Sequence, residues 1–79
     1  MKLPRDLSGE ELVKHLVKHW DYLKIHQVGS HMILQTQHPT PHRLAVPAHS
    51  PLRIGTLNSI LSAVSAQKGV SKEAILKSI

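Results

Sequence analysis

Histidine is the side chain in this sequence best suited to chemistry, since seven of the 79 residues are histidines and none is a cysteine. An imidazole titrates at about pH 6.5, so it can accept or release a proton at neutral pH. His31 directly follows a Gly-Ser pair that is typical of a tight turn. Beside cationic side chains, this imidazole could exchange a proton with a ribose 2′-hydroxyl or a leaving 5′ oxygen while the cations hold the phosphate. The alternative is a surface histidine without a catalytic role.

The spacing of the other histidines gives little support for a metal site. His15 and His19 lie one helical turn apart, but Leu16 stands where a zinc-protease helix has a glutamate. Because no cysteine can complete another site, we expect no metal and no cofactor. His49 follows the third predicted strand and could supply a second imidazole, or it could be an ordinary loop residue.

The composition restricts the class of protein. The formal charge of +5 favours a polyanionic partner, with nucleic acid the first expectation and an acidic protein the second. A chain of this length is expected to form one domain, residues 1–79, with a shallow site. No apolar run is long enough to span a membrane. The charged N-terminal residues predict no signal peptide, and together with the lack of cysteine they favour a cytoplasmic location.

The elements that position these residues begin with a predicted helix over residues 8–19. Ser8 is placed to cap it, and Glu11 three positions later completes a capping box. The apolar stripe of this helix comprises Leu12, Val13, Leu16, Val17 and Trp20. A basic flank, expected to be solvent-exposed, comprises Lys14, His15, Lys18 and His19.

Three antiparallel strands are predicted next, from the alternation of apolar and polar residues. They comprise residues 22–28, His31–Thr36 and His42–Pro47. Gly29 and Ser30 form a candidate type II′ turn between the first two. The prolines in residues 37–41 predict a loop, and His38 and His42 beside them are expected to be solvated.

A two-residue turn sets the register of the first two strands. The expected pairs are Val28 with His31, His26 with Ile33 and Ile25 with Leu34. One face is therefore predicted to join the core, with Leu23, Ile25, Met32, Leu34, Leu44 and Val46. The other face is predicted to be open, basic and rich in histidine, with Lys24, His26, His31, Ile33, Arg43 and Ala45.

Two helices are predicted after the sheet. Thr56 is the expected N-cap of the first, and Gly69 its expected stop. Its apolar stripe comprises Leu57, Ile60, Leu61 and Val64. Ser71 is the expected cap of a short C-terminal helix that packs on the domain through Ile75, Leu76 and Ile79. The predicted fold class is α+β, in the order α-β-β-β-α with a C-terminal extension, and two helices cover one face of a three-stranded antiparallel sheet.

Several short motifs in this chain have the order and spacing of one protein family. They are Gly29-Ser30-His31, Val46-Pro47-x-His49, Gly55-Thr56-Leu57 and Ser59-Ile60-Leu61. Together they resemble the HicA-type toxins of bacterial toxin-antitoxin systems over nearly the whole chain. The resemblance implies a fold like a double-stranded-RNA-binding domain and an mRNA interferase that arrests growth until a HicB-type antitoxin covers its active surface.

The resemblance also implies the roles of particular residues. His31 corresponds to the catalytic histidine of the family, and Gly29 and Ser30 to the turn that presents it. Many members have a basic residue before this glycine and a second histidine after the motif, where this chain has Val28 and Met32. We therefore expect RNA binding to depend more strongly on Lys24, Arg43 and Arg53 and on the basic flank of the first helix.

The sequence leads to an expected function and leaves two alternatives open. The expectation is a metal-independent endoribonuclease in which His31 is the general base or acid. The first alternative is a non-catalytic module that binds structured RNA on the same open face. The second is a protein whose main task is to form a complex with its antitoxin and to bind operator DNA only through that complex, with Ile33 and Ala45 in the interface.

Overall fold

The computed structural model describes residues 3–79 and consists of a three-stranded sheet with helices on one side. Its elements are α1 (Gly9–His19), β1 (Leu23–Val28), β2 (His31–Thr36), β3 (His42–Pro47), α2 (Ile54–Lys68) and α3 (Lys72–Lys77). The strands are antiparallel in the order β1-β2-β3, so β2 is the central strand. The α+β class and the order of the elements confirm the prediction.

α1 begins with the predicted capping box. The hydroxyl oxygen of Ser8 accepts a hydrogen bond from the backbone N–H of Glu11 at 3.1 Å, and the carboxylate of Glu11 accepts one from the backbone N–H of Ser8 at 3.2 Å. Both bonds satisfy N–H groups that a helix end otherwise leaves unpaired. The apolar stripe is narrower than predicted, because Val17 is 40% exposed.

The β1–β2 hairpin follows the predicted register near its turn and departs from it further on. The confirmed pairs are Val28 with His31 and His26 with Ile33. The expected pair of Ile25 with Leu34 is wrong, since Lys24 takes the place opposite Leu34. Ile25 is the extra residue of a β-bulge between Lys24 and His26. Paired residues in a sheet share a face, so this bulge moves the residues before it to the opposite face.

The bulge overturns three predicted positions in β1. Leu23 and Ile25 do not belong to the core, because their side chains are 68% and 41% exposed. Lys24 does not lie on the open face, because it pairs with Leu34, which is fully buried beneath the helices. β1 is an edge strand, and every one of its residues is exposed.

The open face is the side of the sheet that the helices do not cover. Strand pairing and burial show which residues belong to it. In β2 and β3, the predicted core residues Met32, Leu34, Leu44 and Val46 are buried. The residues that alternate with them point the other way, as in any β-strand. The open face comprises Leu23, His26, Val28, His31, Ile33, Gln35, Arg43, Ala45 and Pro47.

α2 begins earlier than predicted and ends where predicted. Its first residue is Ile54, so the prediction that Thr56 caps it is wrong. Arg53 occupies the cap position, and its side chain makes no capping hydrogen bond. Gly69 ends the helix with φ of 66°, in the left-handed region that glycine adopts without strain.

α3 packs on the domain, as predicted. The hydroxyl oxygen of Ser71 accepts a hydrogen bond from the backbone N–H of Ala74 at 3.1 Å and so caps this helix. Ile75 is fully buried in the core, and Leu76 is half-buried against it. Ile79 is 47% exposed and contributes less than predicted.

Gly9 brings the start of α1 into close contact with the chain that follows β3. Its backbone N–H donates to the carbonyl oxygen of His49 at 2.9 Å. A Cβ atom on Gly9 would collide with the carbonyl oxygen of Pro47, so only glycine fits here. Pro47 pairs with His31, and the contact therefore fixes α1 at the end of the sheet where β2 begins.

Candidate active site on the open face

The backbone of His31 is fixed by the turn before it and by strands on both sides. Gly29 has φ of 57°, which allows the chain to reverse within two residues, as a type II′ turn requires. The carbonyl oxygen of Ser30 accepts a hydrogen bond from the backbone N–H of Ala48 at 2.6 Å. Because β2 is the central strand, His31 is paired with both β1 and β3. The imidazole itself is exposed, so an ordered backbone presents a ring that a substrate can reach.

His26 and His31 are near neighbours on the open face. His26 pairs with Ile33, which lies two residues along β2 from His31. Such diagonal positions on adjacent antiparallel strands are separated by about 7 to 8 Å. The sequence predicted both histidines on this face, and the structure brings them together.

Arg43 lies on the open face, as predicted, but at the far end from His31. It pairs with Gln35, four residues along β2 from His31. At roughly 3.4 Å per residue, the separation along the strand is about 14 Å. The Nε–H of Arg43 donates to Oε1 of Gln35 at 3.1 Å. Arg43 and His31 therefore lie at opposite ends of the open face.

Lys24 is directed to the helix side of the sheet. Its ammonium group donates to Oε1 of Gln27 at 3.1 Å. Lys24 also lines a cleft of about 250 Å³ between α1 and the sheet, together with Glu10, Val13, Lys14 and Met32. The prediction that Lys24 shares a sheet face with His31 is therefore wrong, and the physical reason is the bulge at Ile25.

Arg53 and His49 lie outside the strands. Arg53 is exposed at the start of α2, in the helical layer, and is not a member of the open face. His49 is exposed two residues beyond Pro47, at the same end of the sheet as His31. Its carbonyl oxygen is bound by the backbone N–H of Gly9, which fixes its backbone.

His15 has a structural role that the sequence analysis missed. The prediction that it is solvent-exposed is wrong, because its side chain is buried between α1 and α3. Nε2 of His15 lies 2.7 Å from the hydroxyl oxygen of Ser78 and 3.3 Å from the carbonyl oxygen of Ile75, to which the Ser78 hydroxyl also donates at 2.9 Å. Trp20 donates from Nε1 to the same hydroxyl oxygen at 3.2 Å. Burial lowers the pKa of His15, and the neighbouring His19 adds to this, while the hydrogen bond with the Ile75 carbonyl opposes it.

His42 also departs from its predicted solvated position. It is half-buried, and its Nδ1 lies 3.3 Å from the hydroxyl of Tyr22. Burial raises the pKa of Tyr22, and the ammonium of Lys68 lies 4.9 Å from the centre of its ring. His38 is exposed, as predicted. The pairing of His42 with the buried Thr36 explains the difference, since it directs His42 to the helix side.

A sequence signal existed for His15 but not for His42. His15 borders the apolar stripe of α1, three residues after Leu12, and the predicted C-terminal helix needed a surface to pack against. Together these features could have indicated its burial. Nothing local to His42 indicates the contact with Tyr22, because Tyr22 precedes β1 and lies 20 residues earlier in the chain.

No family model, curated protein or solved structure matches this chain. Within residues 3–79, no three histidine or acidic side chains are grouped so that they could hold a metal ion. In the same part of the chain, no helix combines the length and the apolar character needed to cross a membrane.

Proposed function

We propose that this chain is a HicA-type toxin, a metal-independent endoribonuclease that acts in the cytoplasm and cleaves mRNA through His31. The observation that carries the proposal is the exposed imidazole of His31 on the central strand, with its backbone fixed by the Gly29-Ser30 turn. The open sheet backed by helices is compatible with a fold like that of a double-stranded-RNA-binding domain. The formal charge of +5 suits an RNA substrate.

The proposed reaction is an attack by a ribose 2′-hydroxyl on the adjacent phosphodiester. An imidazole removes the proton from the 2′-hydroxyl, the 2′ oxygen forms a bond to phosphorus, and the bond from phosphorus to the 5′ oxygen breaks. A proton returns to the leaving 5′ oxygen. The products carry a 2′,3′-cyclic phosphate and a 5′-hydroxyl, and hydrolysis of the first gives a 3′-phosphate. His31 supplies the base or the acid for these proton transfers.

Permanent cations are sparse around His31, and this shapes the proposed mode of RNA binding. Among the described residues of the open face, Arg43 is the side chain that is charged at every physiological pH. RNA is then held by Arg43 at one end of the face, and by further contacts from Arg53 and the basic residues of α1 at the margins of the domain. Lys24 lies on the helix side of the sheet and makes no contact with the bound RNA in this arrangement.

The proposed protein partner is a HicB-type antitoxin that covers the open face, with operator DNA bound only through the complex. The exposed side chains of Leu23 and Val28 and the half-buried Ile33 beside them on this face support a protein partner. A small apolar patch with a polar rim is typical of protein interfaces. An antitoxin on this patch also buries His31.

The test compares wild-type protein with the variant His31→Ala. Wild-type protein is expected to arrest growth when expressed and to cleave a long RNA in vitro, in the presence of EDTA as well as in its absence. His31→Ala is expected to lose about a hundredfold or more of the cleavage rate, since general acid–base catalysis contributes at least this much. Full activity of the variant would refute the mechanism, and inhibition by EDTA would indicate a metal-dependent one.

The second candidate function is binding without cleavage, and the apolar character of the open face favours it. In that case His31 is a surface residue, and the face docks an antitoxin or structured RNA. Both functions predict binding that weakens with salt, so affinity does not separate them. Intact RNA after incubation with a large excess of pure protein would favour the binding function.

A further inference from the structure

The open face carries a second imidazole in a position that suits proton transfer. His26 lies on β1, diagonally across from His31 on β2, and the β-carbons of such positions are about 7 Å apart. Both side chains are exposed and neither strand is interrupted between them, because the bulge at Ile25 comes before His26. The two imidazoles can therefore approach one small group from two sides.

We propose that His26 and His31 form the acid–base pair of the reaction, an inference that rests on the proposed nuclease function. Transfer of a phosphoryl group from the 5′ oxygen to the 2′ oxygen needs two proton transfers on opposite sides of one phosphorus atom. One imidazole is neutral and takes the proton of the 2′-hydroxyl as the 2′ oxygen bonds to phosphorus. The other is protonated and gives its proton to the 5′ oxygen as that bond breaks. One proton is taken up and one released, so no further reactant is needed.

Among the other histidines, His26 is the best placed to act together with His31. His15 is buried against α3, and His42 contacts Tyr22 on the helix side of the sheet. His49 is at the same end of the sheet as His31 but beyond the last residue of β3, so it is the competing candidate. His26 differs from His49 in that the sheet pairing fixes its backbone directly beside β2.

The experiment measures cleavage rates of two RNA substrates that differ in one atom. The site cut by wild-type protein in a long RNA is mapped and reproduced in a short RNA. A second version has sulfur in place of the bridging 5′ oxygen at that site, and a thiolate leaves without needing a proton. The proteins are wild type, His26→Ala, His26→Gln, His31→Ala and His49→Ala, with His38→Ala as the control for an exposed histidine outside the face.

The expected result has two parts. On ordinary RNA, both His26 variants and His31→Ala are slower by about a hundredfold or more, while His38→Ala and His49→Ala cleave at the wild-type rate. On the sulfur substrate, the protein that lacks the acid regains a rate close to that of wild type, and the protein that lacks the base stays slow. Thermal unfolding of each variant verifies that it is folded at the assay temperature.

Several results would overturn the inference. A rate for His26→Ala within a few-fold of wild type, with His31→Ala inactive, would exclude His26 while the nuclease function stands. Loss of activity in His49→Ala with recovery on the sulfur substrate would identify His49 as the second imidazole instead. Equal responses of the His26 and His31 variants to the sulfur substrate would exclude an acid–base pair. Absence of cleavage by wild-type protein would refute both the nuclease function and the inference.

Discussion

The helical layer and the open face each contain histidine, and they use it in different ways. His15 is buried between α1 and α3 and is hydrogen-bonded to Ser78, so its ring is part of the packing of the fold. His26 and His31 stand exposed on paired strands, where the backbone is ordered and the rings are accessible. The same side chain thus stabilises one region and is available for chemistry in the other. Burial and hydrogen bonding, rather than residue type, decide between these roles.

The comparison predicts that removal of an imidazole affects stability in one region and activity in the other. His15→Ala is expected to lower the free energy of unfolding by about 1 to 3 kcal/mol, because it leaves a gap between the helices and removes the hydrogen bond that joins α1 to Ser78. His31→Ala is expected to change that free energy by less than about 0.5 kcal/mol, as for other exposed positions. Urea unfolding followed by circular dichroism measures both values.

The matched control for His15 is His19→Ala. His19 is exposed one turn further along α1, with its ring centre 4.9 Å from that of His15. Removal of the His19 imidazole is expected to change the free energy of unfolding only slightly. A similar loss of stability in the two variants would show that helix propensity or charge, rather than burial of His15, is responsible.

A change in pH is expected to have a smaller effect on the free energy of unfolding. Burial lowers the pKa of His15 below its ordinary value of 6.5, so the unfolded chain binds a proton more readily than the folded chain does. The free energy of unfolding should therefore keep its full His15 contribution above pH 6.5 and decrease as the pH falls below this value. His15→Gln retains an N–H donor but does not titrate.

The measurement for this prediction is the stability of wild type and His15→Gln at several pH values between about 7.5 and 5.5. The difference between the two proteins removes the contributions of other titrating groups. Wild type is expected to lose more stability than the variant as the pH falls. A difference that does not vary with pH would contradict a pKa lowered by burial.

The smallest expected effect distinguishes two cations that the sequence placed together. Arg43→Ala should weaken RNA binding and reduce the dependence of log affinity on log salt by about one, the change expected for one lost phosphate contact. Lys24→Ala has the same change in net charge, but its side chain lies on the helix side of the sheet. We expect this variant to keep the salt dependence of wild type. Equal slopes for the two variants would indicate that RNA does not follow the open face.

The parts of the fold that were predicted correctly depend on neighbours in the sequence. Ser8 and Glu11 form the capping box because the two residues meet within one helical turn. Gly29 forms the hairpin turn because its own backbone conformation is accessible to glycine. The alternation in β2 and β3 gives the correct faces because those strands are regular.

The parts that were predicted wrongly depend on contacts that are distant in the sequence. The bulge at Ile25 leaves no mark in the apolar alternation of β1, and one extra residue is enough to exchange the faces of Leu23 and Lys24. α2 starts at Ile54, directly after a connection that is held by a distant contact, in which the backbone N–H of Leu52 donates to the carbonyl oxygen of Leu7 at 2.8 Å.

The candidate site also combines features that the sequence predicted with features that depend on distant contacts. By itself, the sequence determined the positive charge, the three-stranded order and the turn that places His31 on a sheet face, because composition and local geometry suffice for these. Only the tertiary structure decided which side chains accompany His31: the bulge brings Leu23 to the open face, removes Lys24 from it and leaves His26 beside His31. The physical reason is that strand pairing fixes the orientation of each side chain, and a single irregularity in that pairing reverses it.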